Sequence, residues 1–391
     1  MRILVINKYI PPDPAPTAVL VADLTRMLRE KGAEVAHLGA EVGYRELRPT
    51  GWRRWLHEVR ILLRLFRMGL TAKRPDCIIC LTDPPGVLFI ASLLAGLKRT
   101  KLVHWAMDVY PDTAAALGEI RAGGVVHTLA GWAMSLGYAS CKLIACLDSD
   151  MLRHLQLKDD PRGFVSAPWP PIHATLPAKL VPPLPDRIRW LYSGNLGRAH
   201  EYETLLQAQR LLEDAGQPFD LIFQGGGNAW AAARSKATEL ALQHCYWESY
   251  APAEDLIASL LKAHVLIATQ RPELRGLLWP SKFALLRLLP RPVVWVGPLD
   301  GSIARSLADA GTHHGTFTVG DSHGLAAWLR VHADTFREMA AAPFSVETLR
   351  TACVSAAQEE GEKWWSHLTR ILPPDVSRGT HLELPLSGKP A

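Results

Sequence analysis

The feature that most constrains this chain is a rhythm that runs twice. Short runs that are apolar throughout, such as Ile3-Leu4-Val5-Ile6 and Cys77-Ile78-Ile79-Cys80-Leu81, alternate with longer stretches of helical periodicity. A strand that keeps one face in water alternates apolar and polar residues, whereas one apolar on both faces has to be covered on both. Strands of the second kind, separated by helices, specify a parallel sheet with helices on either side. The chain has 391 residues, two to three times the ~150 of an ordinary domain, so two such sheets are expected. The rhythm breaks once, where Pro177, Pro182, Pro183 and Pro185 crowd a stretch without periodicity. The expectation is therefore an α/β protein of two doubly wound, Rossmann-like domains facing a cleft. The boundaries are 1–172, a linker at 173–187, a second domain at 188–371 and a tail at 372–391.

In the first half the pattern predicts strands at 3–6, 34–38, 77–81, 101–106 and 142–146. Helices are expected at 17–31, 86–97, 125–138 and from Ser149. In the second half it predicts strands at 189–192, 220–223, 244–247, 265–268, 292–296 and 315–319. Its helices are placed at 201–214, after Asn228, at 253–261, 280–289, from Ser302, and at 324–341 and 346–371. Pro280 suits a first helical turn, where its missing N–H is harmless. The last helix is placed to pack back on the first domain.

The composition, 48% hydrophobic and 21% charged, excludes a wholly disordered, collagen-like or disulfide-scaffold chain. The most apolar segment, 87–97, falls well short of the ~20 residues a spanning helix needs. The apolar start at 3–6 is too short for a signal peptide, so a cytoplasmic chain is expected. Cys77 and Cys80 form a C-x-x-C, but on a strand residues three apart point to opposite faces. No second close pair completes a zinc set, so buried, reduced thiols are expected and no metal site is.

The net charge of +5 is unevenly spread. Arg45, Arg48, Arg53, Arg54, Arg60, Arg64, Arg67, Lys73 and Arg74 face only Glu46 and Glu58 across 44–75, a local excess of seven. Trp52, Trp55, Leu56, Val59, Leu62, Leu63 and Phe66 recur there at helical spacing, with Arg53, Arg60, Arg64 and Arg67 on a neighbouring stripe. Two readings stay open. Such a helix suits an anionic membrane surface through its Trp52–Phe66 segment, or it packs its apolar side on its own domain while the arginines are solvated. No helix-turn-helix or aromatic-interleaved basic platform points to nucleic acid.

Ligands of open α/β sheets bind beyond the carboxyl ends of strands. Three loops qualify. In Gly194-Asn195-Leu196-Gly197-Arg198 the glycines allow close backbone approach to a phosphate and Arg198 brings charge. Gly225-Gly226-Gly227 follows an adjoining strand. Pro280-Ser281-Lys282 brings a hydroxyl and an ammonium to the start of a helix, a natural pyrophosphate or ribose clamp. Taken singly, each also reads as a tight turn or a capped helix. There is no G-x-x-x-x-G-K-[ST] loop, nor G-x-G-x-x-G in the first strand–helix turn.

Together the loops resemble a family. Tyr192-Ser193-Gly194-Asn195-Leu196-Gly197-Arg198-Ala199-His200, with Glu203-Thr204-Leu205-Leu206, looks like the donor-domain opening of family-4 glycosyltransferases of the GT-B fold. The subgroup is that of exopolysaccharide, capsule and O-antigen assembly. Gly276-Leu277-Leu278-Trp279-Pro280-Ser281-Lys282 and Arg291-Pro292-Val293-Val294 are similar to its later donor-site motif. Asp108-Val109-Tyr110-Pro111-Asp112 with Leu117-Gly118 resembles its strand-end motif facing the cleft, and Tyr9-Ile10-Pro11-Pro12 its opening loop. The likeness runs in order over about 1–370.

What the resemblance implies is a retaining transfer of a sugar from a nucleotide-sugar co-substrate to a lipid-linked or other glycan acceptor. No other cofactor and no essential metal is implied, and the place of work is the inner face of the cell membrane. Arg198 and Lys282 would offset the donor diphosphate, Ser281 would help with ribose or phosphate, and Asp108 would face the acceptor or sugar with His104 beside it. The chain departs from the pattern too. Arg275 and Phe283 stand where the family carries two glutamates eight positions apart, with Glu273 two residues early. His200 replaces a lysine, and Pro14-Ala15-Pro16 replaces small glycines. Two alternatives are therefore carried: a binding partner on the same fold without turnover, and a nucleotide-sugar epimerase.

Overall fold

The computed structural model describes residues 1–13, 15–40, 52–170, 186–311 and 313–372. The predicted linker lies almost wholly, and the tail all but for Leu372, outside the described residues, as do Arg45, Glu46, Arg48 and the side chains of Trp52 and Arg54.

The first half builds β1 (Arg2–Ile6), α1 (Pro16–Glu30), β2 (Glu34–Leu38), α2 (Trp52–Thr71), β3 (Cys77–Cys80) and α3 (Val87–Lys98). It continues through β4 (Lys101–Ala106), α4 (Asp112–Ala116), α5 (Val125–Ser140), β5 (Cys141–Cys146), α6 (Ser149–His154) and β6 (Gly163–Val165). The second half has β7 (Ile188–Asn195), α7 (Glu203–Asp214), β8 (Phe219–Gly226), α8 (Trp230–Glu239), β9 (Cys245–Glu248), α9 (Leu256–Leu261) and β10 (Val265–Thr269). Then follow α10 (Phe283–Leu286), β11 (Val293–Val296), α11 (Ser302–Ala310), β12 (Gly315–Phe317), α12 (Ser322–Val331), α13 (Ala333–Ala341) and α14 (Val346–Ile371).

The strands form two six-stranded sheets of order β2-β1-β3-β4-β5-β6 and β12-β11-β10-β7-β8-β9, and every pairing is parallel. Both sheets are covered on both faces: β3 and β10, for instance, are buried at every position. This is the doubly wound architecture expected from the all-apolar strands. The order reverses between β1 and β3 in one sheet and between β7 and β10 in the other, and crevices open at such points.

Four features differ from the sequence reading. Strands β7 and β8 run to Asn195 and Gly226, because the glycines let the two backbones continue their ladder. The helix expected at 280–289 shrinks to the four residues of α10, since the turns on either side bond to the third residue back, as Phe283 N–H does to Pro280 O and Leu288 N–H to Leu285 O. The pattern at 324–341 splits at His332 into α12 and α13. Short β6 and α4 carry too few residues to show a period.

Helix α14 returns from the second half to the first. Trp364 is fully buried, 5.0 Å from the Trp105 ring, and donates to Ser166 Oγ at 2.8 Å. Gly361 makes room for this helix, since a Cβ there would lie 2.4 Å from Met27 Sδ of α1. All six cysteines are free thiols and five are buried. Among the described residues no helix is long and apolar enough to cross a membrane.

Candidate active site between the two halves

The site starts from two glycines. Gly194 and Gly225 pair across β7 and β8 with φ of 134° and 137°, a region side chains avoid. A Cβ on Gly225 would sit 2.2 Å from the Gly194 carbonyl oxygen. On Gly194 it would sit 3.4 Å from Lys282 Nζ. The missing side chain of Gly225 lets the two backbones close up, and that of Gly194 leaves a narrow niche at the end of β7, beside the switch to β10, with Lys282 as its roof.

Lys282 is the most unusual group there. Its Nζ is shielded from water, has no hydrogen-bond partner, and lies 3.2 Å from the centroid of the Tyr192 ring. Burial holds its pKa well below the ordinary lysine value. The aromatic face recovers part of that cost, since cation–π contacts are worth ~2 kcal/mol when desolvated. A buried ammonium left without a hydrogen bond is otherwise expensive, and an anion entering the niche would supply the partner.

Neighbouring groups are arranged around it. His200 Nδ1 lies 2.9 Å from the Thr269 carbonyl oxygen, and its ring stands edge-on to Tyr192 at 5.7 Å. Burial, followed by the Lys282 charge, pushes its pKa down to about 3, so the ring is neutral at physiological pH. It does not replace the cationic lysine whose place it takes. Arg198 is exposed and donates from Nη1 to the Leu117 carbonyl of the first half at 3.2 Å. Ser281 is exposed on the turn before α10. Because α10 has only one turn, the helix-terminus argument for Ser281 and Lys282 falls away. Their place in the site comes from Gly194 and Tyr192 instead.

The remaining donor-loop residues are placed elsewhere. Glu273 sits exposed in a short turn and pairs with Arg271. Arg275 pairs with Asp300 and, at 3.4 Å, with Asp150 of the first half. Phe283 is 1% exposed and packs in the second core. Both positions that would carry glutamates are therefore committed to structural contacts. Asn195 is exposed at the end of β7, Gly197 lies in the turn that follows, and Gly226 packs under the Tyr250 ring.

The first half reaches the same place through one segment. Asp108, two residues beyond β4, forms an antiparallel bridge with Leu278, and Val109 N–H donates to Leu277 O at 2.8 Å. The 276–282 loop thus binds the Asp108 motif at one end and delivers Lys282 to Gly194 at the other. Thr82 Oγ1 accepts the Met107 and Asp108 N–H groups at 2.9 and 3.4 Å, which fixes the backbone there. Burial, and then the neighbouring Asp83, raises the Asp108 carboxyl to about 7. His104 is not brought to this cleft. It is fully buried inside β4, 2.9 Å from Cys80 O through Nδ1 and edge-on to Tyr138, and burial lowers its pKa to about 4.

A cavity of about 510 Å³ adjoins the glycine niche, lined by Leu191, Gln224, Glu248, Tyr250 and Ser259 among others. Gln224 ties it together, accepting from Ser193 Oγ and donating to Glu248 and Ser259 at 3.1, 3.1 and 2.8 Å. The sequence reading assigned these residues no role. Their strands β8 and β9 were legible, but which loop faces which depends on sheet order. Among the described residues, no three His, Cys, Asp or Glu side chains cluster so as to hold a metal ion.

No family profile and no curated protein matches this chain. Solved structures do. HepE of Anabaena, crystallised with UDP, superposes with a TM-score of 0.63 at 14% identity, over 94% of this chain and 100% of its own. The same protein was also crystallised with UDP-glucose. The lipopolysaccharide outer core galactosyltransferase WaaB, in its apo form, gives 0.60 at 11% identity over 95% and 100%. A structure described as a putative UDP-N-acetylglucosamine 2-epimerase from Listeria monocytogenes gives 0.56 at 14% over 93% and 97%. At these identities the likeness establishes the fold, and the fold is GT-B.

Proposed function

We propose that the protein is a retaining glycosyltransferase that moves a hexosyl group from a nucleotide-sugar donor to a lipid-linked glycan acceptor. The setting is cell-surface polysaccharide synthesis, exopolysaccharide or capsule among them, at the inner face of the cell membrane. One observation carries the reading: the unpartnered Lys282 ammonium over Gly194 at the sheet's switch point. HepE, of this fold, was crystallised with UDP and with UDP-glucose, and a diphosphate in the niche would supply the partner that Lys282 lacks. The cavity at Gln224, Glu248 and Tyr250 is of a size for the nucleoside. Retention of configuration is carried over from the loops' resemblance alone.

In this reading the bond from the sugar's anomeric carbon to the diphosphate breaks as the acceptor oxygen bonds that carbon on the same face, which retains its configuration. Negative charge collects on the departing phosphate, where Lys282 offsets it. This is preorganised electrostatic stabilisation. To join Lys282, Arg198 would exchange its bond to Leu117 for one to phosphate. Asp108, with a pKa near 7, takes the acceptor hydroxyl's proton as general base. Helix α2 presents its arginines to the membrane that bears the acceptor.

A second reading has its own support. Arg275 and Phe283 are engaged in ion pairs and core packing, which favours a fold-sharing partner that binds nucleotide sugar without turnover. An epimerase on the same fold is the third. Incubation with a panel of nucleotide sugars and membrane lipid extract separates them. Glycolipid formation that Lys282→Ala abolishes is the expected result. Binding without any turnover selects the partner, and a changed free nucleotide sugar selects the epimerase.

A further inference from the structure

The outer layer of the first half is apolar where a globular protein is ordinarily polar. Eighteen large hydrophobic residues are exposed among those described, and thirteen of them lie on α2, α3 and α5. These three helices are neighbours. Gly69 of α2 packs on Leu94 of α3, and Gly137 of α5 packs on Leu88 of α3, each so close that a Cβ would clash.

Helix α5 is the clearest case. Val125, Leu129, Trp132 and Leu136 follow one another at helical spacing and are 76, 63, 63 and 41% exposed. A helix covering a sheet normally turns its apolar stripe inward and its charges outward. Helix α5 contains no Asp, Glu, Lys or Arg, and its outward stripe is apolar. Leu93 and Leu97 extend the face across α3. Trp55, Leu56, Val59 and Leu63 carry it onto α2, which among its described residues buries Ile61 and Leu65 in the core. A contiguous apolar area of this breadth marks a binding surface.

Charge identifies what it binds. Along α2, Arg53, Arg60, Arg64 and Arg67 are exposed beside the apolar residues. The three helices contain one acidic residue, Glu58. It is withdrawn from the surface into an ion pair of 2.5 Å with buried Lys8. An uncharged apolar face bordered by arginines, with its single carboxylate turned inward, complements an anionic bilayer.

We infer that α2, α3 and α5 together form a monotopic membrane-docking face. Helix α5 and the end of α3 enter the acyl boundary, and the α2 arginines lie at headgroup level. The inference rests on the glycosyltransferase reading only for its purpose, delivery of a lipid-linked acceptor. The first turn of α5 is tied to the acceptor-side loop, since His127 Nε2 lies 3.0 Å from Asp112 Oδ1, four residues after Asp108. Docking through α5 therefore holds that loop against the lipid surface.

The test is cosedimentation of the full chain with vesicles of phosphatidylcholine, with and without phosphatidylglycerol. The double substitution Leu129→Ser/Trp132→Ser is expected to lower partitioning about 100-fold on phosphatidylglycerol vesicles, because each side chain loses its burial in lipid. The triple substitution Arg60→Ser/Arg64→Ser/Arg67→Ser is expected to remove the phosphatidylglycerol- and salt-dependent part. UDP binding and the melting transition should stay at the wild-type values in both, which separates failed docking from a failed fold or a failed donor site. Wild-type partitioning of the α5 variant overturns the proposal. So does a dimer in size exclusion that this variant converts to monomer, since the face then covers a second copy.

Discussion

Lys282 is the residue on which the proposed chemistry turns. Its ammonium is buried without a hydrogen-bond partner, so the folded chain holds its pKa below that of the unfolded chain. The unfolded state then binds more protons between the folded and unfolded pKa values, and Lys282 costs stability that returns only as pH rises toward the ordinary lysine range. Lys282→Met is accordingly expected to melt at a higher temperature at pH 7 while losing nucleotide affinity, as scanning calorimetry would report. Binding a diphosphate restores the charge, so proton uptake should accompany binding between the two pKa values. Isothermal titration in buffers of different ionisation enthalpy measures it. Asp108 behaves in the opposite sense. Its carboxyl is raised to about 7, so its cost develops as pH climbs from 3.8 to 7 and persists above. Asp108→Asn should be more stable than wild type at pH 8, by about 4 kcal/mol, and nearly equal at pH 4. Denaturant titration at the two pH values checks this. Transfer activity should rise through pH 7 in the wild type and be lost in the variant.

At the scale of elements, paired glycines and one returning helix hold the site together. Gly225→Ala would drive a methyl group into the Gly194 carbonyl, so loss of nucleotide binding together with a lower melting temperature is expected. Trp364 anchors α14 between Trp105 and Ser166. Trp364→Ala should cost about 3–5 kcal/mol in denaturant unfolding. Much of this architecture was legible in the chain. The strands at 34–38 and 101–106 and the helix at 346–371 have the bounds the apolar pattern assigns them. The failures have local causes. The β7–β8 ladder through Gly194 and Gly225 could not be read, because glycine is as common in turns as in strained strand ends. The helix after Pro280 was overextended because its apolar run, Phe283 to Leu289, fits an α-helix as well as the tighter turns that flank α10. The site was legible only in part. Lys282 and Gly194 stood out by type, but Tyr192, Gln224 and Glu248 join them through sheet order, which no single segment encodes.

At the scale of the molecule, the two halves are fastened by charge. The Asp150 carboxylate on α6 accepts the Ser302 N–H at the start of α11 and bonds Arg275 and Arg305 of the second half. Burial works against its charge, but the Ser302, Arg153 and Arg275 hydrogen bonds outweigh burial and hold its pKa below the usual carboxylate value. This contribution is present above the unfolded pKa and is lost as pH falls through the folded one. Asp150→Ala should increase the radius of gyration in small-angle scattering at pH 7, and wild type should approach the variant in acid. Closure matters because the Asp108 and Lys282 loops meet only when the halves do. The central claim is that a nucleoside diphosphate sits between Gly194 and Lys282, and calorimetric titration of UDP, GDP and dTDP into wild type and Lys282→Ala tests it. The account predicts that at least one binds wild type and binds the variant at least tenfold more weakly. Equal affinity for both proteins, or no binding of any of the three to wild type, would contradict it.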